Sequence, residues 1–222
     1  MPRTARVVLP DVALHVTQRG IDGAPCFFRA WDYHNYLRYL RVFAARFGCS
    51  IHAYCLMTNH VHLLLTPHSV RACALLMKNL GQCYVQTTNK ALGRKGTLWQ
   101  GRFFSCPVPT EDYVVSCYRY IELNPVRAGM ASAPQDYPWS SYRANTGEQP
   151  DPMLRRHPGL ATTSAADYQA WFDTPPDPVI VEEIRKATRT GRVVGLPPRR
   201  GRPPAETGSV PISEKQGLSL FQ

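Results

Sequence analysis

Residues 50–66 read SIHAYCLMTNHVHLLLT, and this stretch predicts the centre of a β-sheet. Residues 50–56 and 60–66 are both rich in β-prone side chains, and Pro67 ends the second run. Only Met57, Thr58 and Asn59 connect the two runs. Two strands joined by so short a connection should form an antiparallel hairpin.

Strand and helix patterns alternate on either side of this hairpin. Residues 12–19 (VALHVTQR) indicate a strand that ends in a turn at Arg19-Gly20. Residues 32–47 have apolar side chains at helical spacing, with Asp32 able to cap the helix and Gly48 able to end it. Residues 70–92 predict a long helix whose buried side chains are Leu75, Leu76, Leu80, Cys83 and Tyr84.

The next segment completes the predicted fold. Residues 98–108 (LWQGRFFSCPV) indicate an aromatic loop leading into a strand. A further helix should run from Glu111 to near Asn124, since the residue before Pro125 is biased away from helix. Strand, helix, hairpin, helix, strand and helix in this order predict an α/β (α+β) fold, with helices packed on one face of an antiparallel sheet.

The composition divides the chain into three parts. Residues 1–145 are predicted to form one compact domain, and residues 146–178 a Pro-rich connector, because most of the 20 prolines lie beyond residue 130. Residues 179–222 should hold a short helix and a basic, disordered tail, since residues 184–205 contain no acidic side chain. Within that tail, residues 199–204 (RRGRPP) resemble a hook that binds the minor groove of DNA.

The charge balance favours a polyanionic partner. The 222 residues have a formal net charge of +10, which is typical of proteins that bind nucleic acid, although a basic protein need not do so. No apolar run approaches the roughly 18 residues of a membrane span, and the N-terminus lacks an apolar signal core. Seven cysteines without a Cys-x-x-Cys pair argue against a disulfide framework or a Cys-rich zinc site. We therefore expect a cytoplasmic protein without a membrane partner.

His60 and His62 form a candidate metal-binding pair. Side chains of a strand alternate between its faces, so both imidazoles should point the same way, with Val61, Leu63 and Leu65 pointing into the core. Two ligands leave most of a coordination sphere open, and the remainder must come from elsewhere in the chain or from substrate oxygens. The alternative is one core histidine and one surface histidine.

Tyr120 and Asn124 form a second candidate pair. They lie one helical turn apart, so a phenol and an amide could converge on one point. Alternatively, Tyr120 is a core aromatic residue and Asn124 a turn residue before Pro125. Tyr118 has the same spacing to Glu122 but points about 200° away from Tyr120, so both tyrosines cannot face one metal.

Residues 52–65 (HAYCLMTNHVHLLL) resemble the His-hydrophobic-His block of the HUH endonucleases. More narrowly, they resemble the REP-associated tyrosine transposases, relatives of the short single-tyrosine insertion-sequence transposases. Residues 15–20, 96–104 (GTLWQGRFF), 120–129 (YIELNPVRAG) and 139–142 (WSSY) fit the same family in the same order.

This resemblance implies a function and a site. The fold would be the HUH type, a ferredoxin-like antiparallel sheet with flanking helices. His60 and His62 would bind the metal, Asn124 would be a third ligand, and Tyr120 would be the nucleophile. The enzyme would cut single-stranded or hairpin DNA, such as palindromic repeats, through a 5′-phosphotyrosine. Mg²⁺ or Mn²⁺ suits such a mixed nitrogen and oxygen site.

Further residues are predicted to hold the DNA, and two other functions stay open. Trp99 or Phe103 would stack on bases, with core packing the more expected role for Phe103. A regulator that binds DNA without cutting it is the main alternative function, and a zinc hydrolase is a weaker one. The protein would act at the nucleoid as a monomer or homodimer. The basic residues expected to contact phosphates are Arg19, Lys78, Arg94, Lys95, Arg102 and Arg127.

Overall fold

The computed structural model of the protein describes residues 7–195, and its sheet has four strands. The predicted hairpin is confirmed, because Met57 pairs with His60 across a two-residue turn. The predicted strand bounds are correct to within one residue for the first three strands. The strands are Ala13–Arg19 (β1), Cys49–Met57 (β2), His60–Pro67 (β3) and Phe104–Val108 (β4).

The strand order is β2-β3-β1-β4, and every neighbouring pair is antiparallel. With one helix between β1 and β2 and another between β3 and β4, this is the split βαβ arrangement of ferredoxin-like folds. The predicted fold class is therefore confirmed. The topology places β3, with its two histidines, between β2 and β1 in the interior of the sheet.

Seven helices flank the sheet within residues 7–195. Gly48 ends the first helix in the left-handed conformation at φ 66°, as its position predicts. That helix begins at Ala30, before the predicted start, and Asp32 caps it from the third helical position. None of these helices has the length and apolar character to span a bilayer. They are Ala30–Phe47 (α1), Ala72–Leu92 (α2), Glu111–Glu122 (α3), Asn124–Arg127 (α4), Tyr142–Asn145 (α5), Ala165–Ala170 (α6) and Pro178–Thr190 (α7).

Helices cover both faces of the sheet, so the prediction that they pack on one face is wrong. Val61, Leu63 and Leu65 point into a core shared with α1 and α2. Leu64 points to the other face, into a core shared with α3 and α7. The physical reason is that β2 and β3 are buried on both faces, which a pattern of simple alternation does not represent.

Two of the side chains predicted to be buried on α2 are not. Leu76, Leu80 and Tyr84 are fully buried, as predicted. Leu75 is exposed and Cys83 is half-buried, because they lie at the edge of the apolar stripe that faces the sheet.

Residues beyond the predicted catalytic domain also pack on the sheet. Leu160 and Tyr168 are buried in the same core as α3. Helix α7 packs against β4, and the backbone N–H of Val194 donates to the carbonyl of Pro107 at 3.0 Å. The division of the chain at residues 145 and 178 stays a prediction. The predicted basic tail beyond residue 195, including residues 199–204, lies outside the described residues.

Candidate active site

Strand β3 holds His60 and His62 on the same face of the sheet. Their ring centroids are 4.9 Å apart, with the rings almost perpendicular. His62 is buried, whereas His60, at the start of the strand, is half-buried. The structure therefore brings the predicted imidazole pair together at one end of β3.

Tyr120 of α3 lies against this pair. Its ring centroid is 5.5 Å from that of His62, in an edge-to-face contact. Only 5% of Tyr120 is exposed. The guanidinium carbon of Arg127 lies 4.4 Å from the centroid of the Tyr120 ring. The predicted nucleophile is thus between the histidines and a cation.

Asn124 is on the same helical face, but its side chain is turned to local partners. Its amide nitrogen donates to the backbone carbonyls of Tyr120 at 2.9 Å and Ile121 at 3.3 Å. Its amide oxygen accepts from Arg127 at 2.7 Å. An amide oxygen has two lone pairs, so one remains for a further partner. Its role as a third metal ligand stays a prediction.

His15 belongs to this site as well, although the sequence patterns did not single it out. Its Nε2 lies 3.0 Å from Nδ1 of His62, and the two rings are parallel with centroids 5.2 Å apart. It also contacts the edge of the Tyr120 ring at 5.5 Å. Thr17 pairs with His62, so the alternation of side chains along β1 puts His15 on the same face, but this register is not visible in the sequence.

Burial keeps these imidazoles neutral. It lowers the pKa of His15 from 6.5 to about 3. Burial, together with the charge of Arg19, lowers the pKa of His60 to about 4. The pKa of His62 is also lowered, first by burial and then by its neighbours, which include Arg127 and Arg185. Neutral imidazole is the form that binds a metal.

The donor set suits a hard divalent ion better than zinc. Within residues 7–195, no group of three or more His, Cys, Asp or Glu side chains is arranged to hold a metal. The two histidines alone would leave most of a metal's coordination sphere open. Mg²⁺ and Mn²⁺ accept oxygen-rich sets, whereas structural zinc sites have four protein ligands.

The other candidate tyrosine faces away from the histidines. Tyr118 is fully buried, in an edge contact with Tyr168, and its hydroxyl accepts from the backbone N–H of His157 at 3.3 Å. This geometry matches the expected rotation of about 200° between positions 118 and 120 on the helix. Tyr118 is therefore a core residue.

Several of the basic residues predicted to bind DNA border the site. Arg19 pairs with His60 across the sheet, and its side chain is exposed. The loop that contains Arg102 is joined to β1, because the backbone N–H of Gln100 donates to the carbonyl of Arg19 at 2.8 Å. Lys95 is exposed at the end of α2. Lys78 is also exposed, but on a helix that covers the opposite face of the sheet from Tyr120.

Two residues predicted to contact DNA are covered by the protein. Trp99 is only 5% exposed and packs near Tyr84, with ring centroids 5.9 Å apart. The ring belongs to the core shared with α1 and α2, and its stacking on bases stays a prediction. Arg94 is half-buried rather than exposed, with its guanidinium 5.6 Å from the ring centroid of Phe28.

Comparisons with known proteins agree with this architecture. The model of the family described as "Transposase IS200 like" matches residues 12–124, which are 113 of the 222 residues. A REP-associated tyrosine transposase bound to a REP hairpin has a similar structure, with a TM-score of 0.54 and 16% sequence identity. That match covers 74% of this chain and 96% of the other, and it shows that the two proteins share a fold.

A second solved structure is more distant. It is a protein of Deinococcus radiodurans described as a transposase, with a TM-score of 0.39 and 20% identity. This match covers 55% of the present chain and 96% of the other. Among curated proteins, none matches the sequence.

Proposed function

The chain belongs to the IS200-like transposase family, and from this membership we propose that it is a metal-dependent tyrosine DNA endonuclease and strand transferase. Its substrate is single-stranded or hairpin DNA. The REP hairpin bound by the structurally similar transposase supports palindromic repeats as the target. The observation that carries the proposal is the ring of Tyr120, 5.5 Å from the ring of His62.

Tyr120 is the proposed nucleophile. Its phenol oxygen attacks the scissile phosphorus, a phosphotyrosine bond forms at the 5′ side, and the bond to the 3′ oxygen breaks. The proton of the phenol passes through water to the departing oxygen, which becomes a 3′-hydroxyl. The covalent link conserves the energy of the phosphodiester, so attack by another 3′-hydroxyl reverses the step and transfers the strand.

His60 and His62 are the proposed nitrogen ligands of Mg²⁺ or Mn²⁺, with Asn124 as an oxygen ligand. When bound, the ion would neutralise charge on the scissile phosphate and orient it for in-line attack. Asn124 must then share its amide oxygen between the ion and Arg127, which now holds it at 2.7 Å.

Arginine side chains supply the proposed phosphate contacts. Arg127, over the Tyr120 ring, and Arg185 of α7 both lie close enough to His62 to depress its pKa. A phosphate that enters between them would meet two cations, and the same cations would stabilise a phenolate. Arg19, Lys95 and Arg102 extend this basic surface away from the histidines and suit the rest of a DNA strand.

Tyr120 is proposed to act with the histidines of its own chain. Tyr120 touches His15 and His62 of its own sheet. Whether the protein is a monomer or a homodimer stays a prediction. Chromosomal repeats as substrate would place its action at the nucleoid in the cytoplasm.

Covalent capture of DNA tests this proposal directly. Labelled single-stranded hairpins from the palindromes that flank the gene are incubated with the protein and Mn²⁺, and the products are run on a denaturing gel. We expect a protein–DNA band and a free 3′-hydroxyl fragment with wild type and with Tyr118→Phe. Tyr120→Phe should yield neither, because it lacks the attacking oxygen.

The two variants are matched controls for each other. Each removes one hydroxyl from a buried ring of α3, so a general loss of stability would affect both. If Tyr120→Phe still captures DNA, Tyr120 is not the nucleophile. If wild type binds the hairpins but never forms the band, the protein is a regulator that binds without cutting.

A further inference from the structure

A chain of hydrogen bonds runs from helix α7 to the histidine pair. The hydroxyl of Thr188 donates to the carbonyl of Ile184 at 2.7 Å, the common arrangement for threonine inside a helix. Nδ1 of His15 lies 2.8 Å from the same hydroxyl oxygen. With its single proton in that bond, the hydroxyl oxygen acts as an acceptor, which favours a proton on Nδ1 of His15. Sγ of Cys106 lies 3.2 Å from the same oxygen.

The proton position on His15 then determines that on His62. A neutral imidazole has one N–H, so Nε2 of His15 is unprotonated and accepts. Its partner at 3.0 Å is Nδ1 of His62, which therefore donates. His62 is consequently protonated on Nδ1, and its Nε2 keeps the lone pair that a metal needs.

His60 reaches the same state by a separate route. Its Nδ1 lies 2.6 Å from Oδ1 of Asn59. The orientation of that amide is fixed, because its nitrogen donates to the carbonyl of Gly23 at 3.0 Å. An amide oxygen only accepts, so Nδ1 of His60 donates to it. Both members of the pair thus present Nε2 as the unprotonated nitrogen.

We propose that His15, held by Thr188, and Asn59 are positioning residues that fix both histidines in the tautomer competent for metal binding. This inference rests on the proposed metal-dependent function. It gives α7 a role at the site, although Thr188 lies outside the residues that match the family. Hydrogen bonds to the second nitrogen of a ligating histidine hold its ring and raise its basicity.

Nitrogen-15 NMR of the metal-free protein tests the tautomers. Two-bond proton–nitrogen correlations distinguish an imidazole protonated on Nδ1 from one protonated on Nε2. At pH 7.5 we expect His60 and His62 as the Nδ1–H form, with Thr188→Val shifting the His62 signals and Thr188→Ser restoring them. We call the hydrogen bonds from Thr188 through His15 to His62 the relay. If His62 of the wild type is protonated on Nε2, the relay is wrong, whether or not the protein binds Mn²⁺.

Metal affinity without DNA is the second readout. In His15→Phe an aromatic ring remains beside His62, but it cannot accept a hydrogen bond from it. We expect its Mn²⁺ affinity, measured by calorimetry, to fall about 10- to 100-fold. His52→Phe is the control, since His52 is also a buried histidine with both nitrogens bonded, but its partners are Arg155 and Thr66. It should bind Mn²⁺ as wild type does.

The outcomes separate the relay from the function. If wild type binds Mn²⁺ and captures DNA while His15→Phe has unchanged affinity, the relay fails and the function stands. If wild type does not bind Mn²⁺, the proposed function fails, and the NMR experiment still decides the tautomers. With the relay correct, saturating Mn²⁺ should restore much of the DNA capture of His15→Phe.

Discussion

The carboxylate of Glu122 is buried in the core beside α3. It accepts hydrogen bonds from the hydroxyls of Ser141 and Tyr168 and from the amide of Asn145. Burial raises its pKa from 4.5 to about 7, although these three donors favour the charged form. Glu122 therefore joins α3 to segments that follow it by 19 to 46 residues in the chain.

The raised pKa makes stability depend on pH. The folded protein holds the Glu122 proton more tightly than the unfolded chain does, so this contribution is complete below pH 4.5 and is lost as pH rises through about 7. The expected loss is on the order of 3 kcal/mol. In Glu122→Gln the group cannot titrate. The stability of wild type relative to this variant, from urea unfolding, should decline between pH 4.5 and 7.

The difference between the two curves isolates this group. The histidines with lowered pKa titrate in the same range, but they do so in both proteins and cancel. A flat difference would mean that Glu122 keeps an ordinary pKa because its three donors offset the effect of burial. The nearby ionisable groups have raised pKa values and stay neutral over this range: Tyr54, Cys55, Tyr118, Tyr142 and Tyr168.

At the scale of elements, the first turn of α1 depends on Asp32. This fully buried carboxylate accepts from the backbone N–H groups of Phe28 and Arg29, at 3.0 and 2.8 Å, and from the Arg29 guanidinium at 3.1 Å. Asp32→Ala would remove all three acceptor contacts. We expect it to lower the free energy of unfolding by about 1–3 kcal/mol in urea denaturation.

Asp167 provides the matched control for Asp32. It occupies the same position of a capping box, at the start of α6, but it is exposed. Because water can replace its hydrogen bonds, Asp167→Ala should lower the free energy of unfolding by less than Asp32→Ala does. Equal effects of the two substitutions would show that burial does not strengthen the cap of α1.

Local sequence patterns predicted the helices and strands well, but not which of them pack against each other. The alternation around His60 and His62 identified β3, and Gly48 identified the end of α1. No local pattern could place α3 on the histidine face, because that depends on contacts between distant parts of the chain. His15 was missed for the same reason, since its partner His62 is 47 residues away and on another strand.

For the whole molecule, the sequence predicted the four-stranded sheet, but it did not predict that residues far along the chain pack against this sheet and its helices. The Pro-rich composition beyond residue 130 suggested a connector. In the structure, Thr188 of α7 reaches His15 in the sheet, and Tyr168 reaches Glu122 of α3. Proline residues interrupt helices and strands, but a high proline content does not indicate whether the interrupted segment packs against the rest of the protein.

The charge of the whole chain should appear in the salt dependence of DNA binding. Each phosphate contact to a single strand adds about 0.7 to the slope of log affinity against log salt. Arg19 pairs with His60, and Arg102 lies in the loop that is joined to Arg19. Arg19→Ala with Arg102→Ala should therefore lower the slope by about 1.4. Binding of a labelled hairpin in Ca²⁺, measured by fluorescence anisotropy from 50 to 300 mM salt, gives this slope.

Arg41→Ala with Arg46→Ala removes the same charge from exposed positions of α1, on the opposite face of the sheet, and should leave the slope unchanged. Equal reductions in both double variants would mean that net charge alone governs binding and that the surface beside the histidines does not track the strand.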